Sequence, residues 1–151
     1  MNAAKIKCRD LMVGDWCCNE HGFPMQITNV GEDYAYATWE GNEGDTWEFD
    51  DKDDQPQPIL LTPEILEKNG FYIRNTQWYY KRFCSNGCFD IAISLAYREM
   101  EVSKVCGAGT DCEEVDYGSA IVFGNDIICV HELQHALRLC GPNELADNFK
   151  V

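Results

Sequence analysis

The chain has 151 residues, 45% of them apolar and 12% aromatic, with a formal net charge of −14. That is enough apolar material for one ordinary domain or two small ones, and it excludes a disordered chain. The acid is uneven, with 13 acidic and 4 basic side chains in residues 1–55 against 13 and 8 in residues 56–151; no cluster of Lys and Arg is present to release counterions, so direct binding to nucleic acid or an anionic membrane is not expected.

From residue 5 to residue 49, short apolar, aromatic and β-branched runs alternate with turn residues at Asp10, Gly14-Asp15, 19–22, 31–33 and 41–45. This is an all-β rhythm. Strands are predicted around Val13 with 16–18, then over 23–30, 34–39 and 46–49, forming a small SH3-like β-barrel with Leu11, Val13, Trp16, Ile27, Val30, Tyr36 and Trp39 inside. Residues 50–58 are acidic and proline-spaced, which marks a linker or exposed crossing; Asp50, Asp51, Asp53 and Asp54 lack the glycine and distant glutamate of a calcium loop and read as a solvated charge run.

A short helix follows, with Thr62 as N-cap, Pro63 in its first position, Glu64 near its positive end and Asn69-Gly70 closing it; Ile65 and Leu66 face the core and Phe71 covers the last turn. Strands are predicted over 71–73, 77–83 and 89–97, with a hairpin turn at Ser85-Asn86-Gly87. A further strand covers 101–105, a glycine-rich acidic loop 106–119, and a short strand 120–123, after which Gly124-Asn125-Asp126 caps the final helix. The fold class is thus α+β, with an all-β domain over residues 1–55 and an α+β domain over residues 59–151 made of a short helix, an antiparallel sheet and a C-terminal amphipathic helix.

In that final helix Cys129, Val130, Leu133, Ala136, Leu137 and Cys140 fall on one side, while His131, Gln134, His135 and Arg138 fall opposite. His131, Glu132 and His135 spell H-E-x-x-H, the spacing at which two imidazoles chelate zinc while a glutamate acts as general base on a metal-bound water. Against this, few third-ligand candidates follow, such as Glu144 and Asp147, the extended metzincin pattern requires glycine and histidine where this chain has Arg138 and Gly141, and Arg138 puts a fixed positive charge one turn from a dication. The expectation is a core-sealing helix with bystander imidazoles, no cofactor and no catalytic residue. The alternative is a zinc-dependent hydrolase or peptidase with His131 and His135 as ligands and Glu132 as base.

Nine cysteines fall singly or in irregular pairs, and residues 1–5 have no apolar signal core behind them, so a reduced, cytoplasmic protein is expected. Cys84 and Cys88 bracket a turn and form either a disulfide or half of a zinc knuckle that Cys106, Cys112 or His21 would complete. Cys17 and Cys18 point to opposite sheet faces, and a cysteine nucleophile paired with either C-terminal histidine has no local signature. Trp16, Trp39, Trp47 and Trp78 read as core or barrel rim, or as an aromatic strip of the kind SH3-like barrels use for peptides.

Three stretches carry a resemblance: Leu11-x-Val13-Gly14-Asp15-Trp16, the run L-T-P-E-I-L-E-K-N-G-F at 61–71, and V-H-E-L-Q-H-A-L-R-L-C-G at 130–141 with the 143–151 tail behind it. Together they resemble an uncharacterised family of small gut-bacterial proteins, often encoded among prophage or other mobile-element genes. The resemblance implies a small β unit, a T-P-E-I-L helix, a sheet and a closing helix, and it brings no activity or catalytic residue with it. The family's tail also reads H-Q-L-Q-N, which lacks the zinc spacing. A non-enzymatic acidic module that binds a protein partner is the function expected on these grounds.

Overall fold

A computed structural model of the chain describes residues 5–41 and 44–151, the side chain of Tyr117 excepted. The reading of the chain's first four residues and the centre of the turn expected at 41–45 fall outside them. The architecture is α+β, built mostly of two antiparallel sheets with few helices. Two compact units divide it: Met1–Leu60 with Cys129–His135 and Val151 form the first, and Leu61–Ile128 with Ala136–Lys150 form the second. Among the described residues no helix is long and apolar enough to cross a membrane.

In the first unit β1 (Trp16–Cys18), β2 (Pro24–Val30), β3 (Tyr34–Thr38) and β4 (Trp47–Asp50) pair in sequence order as an open antiparallel sheet. Leu11 and Ile27 face the core as the sequence suggests, whereas Val13, Val30 and Tyr36 do not and Trp16 and Trp39 are half-buried. Met25, Ile27, Ala35, Ala37 and Phe49 share a buried cluster with Ile6, Cys8, Leu11 and Cys17. Val13, expected inside, is 59% exposed, Val30 is exposed, and Tyr36 is half-buried on the opposite face from the alanines. The reason is packing: a 3-10 turn at Cys8–Asp10 lies against β3, and Cys8 shares the buried cluster with the small side chains of Ala35 and Ala37.

The acidic run is folded. Asp50 pairs with Asp54 in an isolated bridge, the Asp50 carboxylate accepts from the amides of Lys52 and Asp53, and the Asp51 carboxylate accepts from the Cys8 amide at 2.9 Å. Beyond it Gln57 exchanges two backbone hydrogen bonds with Cys18 of β1, each of 2.9 Å. The expected linker is therefore a turn that returns the chain to the first strand, its carboxylates used as local acceptors.

In the second unit, α1 (Pro63–Lys68) starts as its sequence dictates, with the Thr62 hydroxyl accepting from the Ile65 amide at 3.3 Å. It ends in a Schellman-type bond from the Phe71 amide to the Leu66 carbonyl, and both of those side chains are buried. The buried Asn69 amide group donates to the Ile65 and Lys150 carbonyls and accepts from the Lys150 amide, tying the tail to this helix end. Five strands follow as a meander: β5 (Tyr72–Asn75), β6 (Trp78–Ser85), β7 (Gly87–Ser94), β8 (Glu99–Cys106) and β9 (Glu114–Val122).

Two expectations are corrected in this sheet. The strand predicted to run on to Tyr97 stops at Ser94, where a turn holding Arg98 at φ +54° reverses the chain. The stretch predicted as a loop over 106–119 contributes most of β9, registered against β8 from Cys106↔Glu114 to Glu99↔Val122. Gly118 does not break that strand, because it occupies a bulge where a Cβ would stand 3.0 Å from the Val102 carbonyl oxygen. Across β6 and β7 the Arg82 guanidinium holds Asp90 with bonds of 2.7 and 3.0 Å and keeps that carboxyl below its ordinary range.

The last helices are α2 (Val130–Cys140) and a short α3 (Asn143–Asp147) after Pro142. The start of α2 lies beyond the predicted cap, because Cys129 is still bridged to Leu60 and the Val130 amide donates to the Ile59 carbonyl.

Candidate functional site

The site begins with a turn. Met12 to Asp15 close on a bond from the Asp15 amide to the Met12 carbonyl, with Gly14 at φ +94°, a conformation that glycine adopts without steric cost. The Asp15 side chain folds back over this turn and is 0% exposed. Its Oδ2 accepts from the Met12 amide at 2.8 Å and lies 2.5 Å from His135 Nε2.

The polar face of α2 supplies the other half. Gln134, placed opposite the apolar side, is 0% exposed; its Nε2 donates to the Gly14 carbonyl at 2.8 Å and its Oε1 accepts from the Trp16 amide at 2.9 Å. Gln134 thus pairs with backbone as a neighbouring strand would, and His135 reads the carboxylate between those two bonds. Of the predicted apolar side, Cys129, Val130, Leu133, Ala136 and Leu137 are buried and Cys140 is half-buried. Both faces of this helix are consequently in use.

The three residues of the zinc motif have separate surroundings. Glu132 accepts from the Cys129 amide at 3.1 Å, the reach of an N3 glutamate back to the N-cap amide, so its carboxylate completes the helix terminus. His135 holds Asp15. The His131 ring lies edge-on to His135 at 5.8 Å, and its Nδ1 is buried without a hydrogen-bond partner. Among the described residues no group of three or more His, Cys, Asp and Glu side chains is arranged to hold a metal ion. Arg138, the expected neighbouring charge, bonds to Asp147 at 3.2 Å.

Burial pushes the His131 pKa below its ordinary value near 6.5, and the neighbouring His135 acts in the same direction, against the opposing pull of Glu132 and Asp15. The unfolded chain therefore takes up this proton at higher pH than the folded one, and stability falls as the pH drops from about 6.5 toward the folded-state value. His131→Phe is expected to remove this part of the acid slope. Urea unfolding at about pH 7.5 and about pH 5.5 measures it, and an unchanged slope would contradict the assignment.

Beside this junction Trp16 opens onto a cleft of about 410 Å³, which it lines together with Trp39, Trp47 and Phe23; its polar members are Asn19 and Glu40. Trp39 and Trp47 lean on the buried cluster. The Trp47 indole donates to Asp54 Oδ2 at 2.9 Å, while Asp54 Oδ1 is buried without a partner. Burial raises the Asp54 pKa and the Trp47 hydrogen bond counteracts it. The Asn19 side-chain Oδ1 accepts from the amides of His21 and Phe23 at 2.9 and 3.1 Å, which fixes the β1–β2 loop, and Phe23 stands 63% exposed at the rim.

The cysteines divide by environment. Cys84 and Cys88 face each other across the β6–β7 hairpin and are joined as a disulfide, whose sulfurs are not thiolate ligands. Burial pushes the Cys8 and Cys129 thiols up to about 12, reinforced by Asp51 and Glu132 respectively, and raises that of Cys17 further. A nucleophile needs the opposite shift. His21 stands by Glu20, and Cys106 and Cys112 are exposed.

Sequence reasoning missed Asp15, Gln134 and Glu40 as site residues. The signal for the first two was their presence in two of the quoted motifs; nothing local marked Glu40. Comparison with protein-family models, with curated proteins and with solved structures gave no match.

Proposed function

We propose that this chain is a non-enzymatic, acidic protein-interaction module of the mobile-element kind its motifs resemble, and that its first unit receives an extended segment of a partner protein in the tryptophan cleft. The observation that carries the proposal is the cleft itself: a concave, mostly apolar site walled by three of the chain's four tryptophans, with few polar groups. Ligand sites have this character, and its volume falls in their range of about 300–1,000 Å³. The junction behind it supports the same reading, since Gln134 and His135 spend their polar atoms on holding Gly14, Asp15 and Trp16 in place.

The SH3-like likeness of the unit belongs to this proposal. It is supported by the four-strand meander and by the Cys18–Gln57 bridge, which returns the chain to β1. A cytoplasmic setting belongs to it as well, supported by seven cysteines outside any disulfide, two of them exposed; the Cys84–Cys88 disulfide departs from the fully reduced chain expected.

Selection from a random peptide display library is expected to enrich binders whose affinity falls about tenfold or more in Phe23→Ala, a rim substitution that spares the core. No enrichment, or binders indifferent to Phe23→Ala, would overturn the proposal. Elemental analysis separates it from the hydrolase alternative: one equivalent of zinc, lost in His135→Ala, would establish His131 and His135 as ligands and Glu132 as base.

A further inference from the structure

We propose that the side chain received by the cleft is cationic, a lysine or arginine of the partner segment laid on the faces of Trp16, Trp39 and Trp47 with its charge toward Glu40. The inference rests on the interaction reading above and names the chemistry of its ligand.

Tryptophan faces carry the most negative quadrupole among the aromatic side chains, and a cation held over them is attracted most strongly once water is excluded. Here the electrostatics around the rings add to that attraction. Glu40 is a lining residue, and the lining contains no Lys, Arg or His. The Trp47 indole donates to the Asp54 carboxylate, which fixes the ring's orientation and pushes electron density into its face. Residues 1–55, from which the cleft is drawn apart from Val151, carry 13 acidic side chains against 4 basic ones.

The other occupants fit less well. An anionic group would meet Glu40 in a lining with no Lys, Arg or His to offset it. A wholly apolar side chain would leave the exposed Glu40 carboxylate without a partner and forgo the attraction that a cation gains from it and from the ring faces. A lysine or arginine satisfies both demands, because its aliphatic stem covers Phe23 and its charged end reaches the carboxylate.

The test uses the full chain and three acetylated, amidated tripeptides, Gly-Lys-Gly, Gly-Arg-Gly and Gly-norleucine-Gly, with choline as a small quaternary ammonium; the readout is the indole N–H signals of Trp16, Trp39 and Trp47. The lysine or arginine peptide is expected to shift these signals saturably, at an affinity about tenfold above that of the norleucine peptide. Glu40→Gln is expected to erase most of that difference while leaving norleucine binding unchanged. Equal binding of the neutral peptide overturns the inference, as does failure of both cationic peptides. Choline binding tighter than either peptide also overturns it, because the site would then belong to a free small cation. If the display library yields Phe23-dependent peptides that lack Lys and Arg, the interaction reading stands and this inference falls.

Discussion

Asp15→Ala is expected to destabilise the first unit by about 3 kcal/mol, the low end of the range for removing one member of a buried, hydrogen-bonded charged pair, here a carboxylate held by a histidine and a backbone amide. The low end applies because His135 keeps 27% of its side chain accessible and can recover water on losing its partner, whereas the carboxylate is wholly buried. The variant also strands the Met12 amide, which Asp15 accepts at 2.8 Å, and so loosens the turn around Gly14. His135→Gln is expected to cost only about 1 kcal/mol, since its amide nitrogen reaches about as far as the imidazole Nε2 and can still donate to Asp15. Urea unfolding followed by tryptophan fluorescence measures both. A double-mutant cycle of Asp15→Ala with His135→Ala should give a coupling of about 1–3 kcal/mol, and a value within about 0.5 kcal/mol of zero would show that the two side chains do not support each other.

Gln134→Leu is expected to cost about 2–4 kcal/mol although it preserves the shape of the side chain, because it leaves the Trp16 amide without its side-chain acceptor and removes one of two donors from the Gly14 carbonyl. The second donor, Gln26 Nε2 at 3.2 Å, softens the loss at Gly14. Gln134→Glu should be worse than Gln134→Leu: it keeps an acceptor for Trp16 but loses the donor and buries a charge at a wholly enclosed position. Stability by urea unfolding tests the order, and hydrogen exchange at the Trp16 amide tests the cause. An exchange rate unchanged in Gln134→Leu would mean that the bond to Trp16 carries no protection. Since Trp16 walls the cleft, both variants should also weaken the selected peptides.

Much of the local structure was legible because its causes are local. Thr62, Pro63 and Asn69-Gly70 bound α1 through contacts within a few residues. The runs predicted as strands in the first unit recur in β1 to β4, displaced by a residue or two, because turn residues between apolar stretches act where they stand. The apolar side of α2 follows from helical spacing alone. Strand faces were less legible: in the Tyr34–Thr38 strand the alternation of tyrosine with alanine leaves open which set turns inward, and the packing of the Cys8–Asp10 turn on the alanines decides it. Likewise Gly118 reads as a loop residue until β8 stands beside it.

By itself the sequence determined the α+β composition, most element positions, the acid imbalance and the i, i+4 spacing of His131 and His135, since each depends on residues within a turn or two of one another. Only the tertiary structure decided what those residues do. It set His135 against Asp15 and Gln134 against Gly14 and Trp16 across some 120 positions of chain, turned Glu132 to its own helix terminus, and gathered Trp16, Trp39 and Trp47 around one cleft. The physical reason is that hydrogen-bonding partners and burial are properties of the space around a side chain, and for these residues that space is filled by parts of the chain that no local pattern can name.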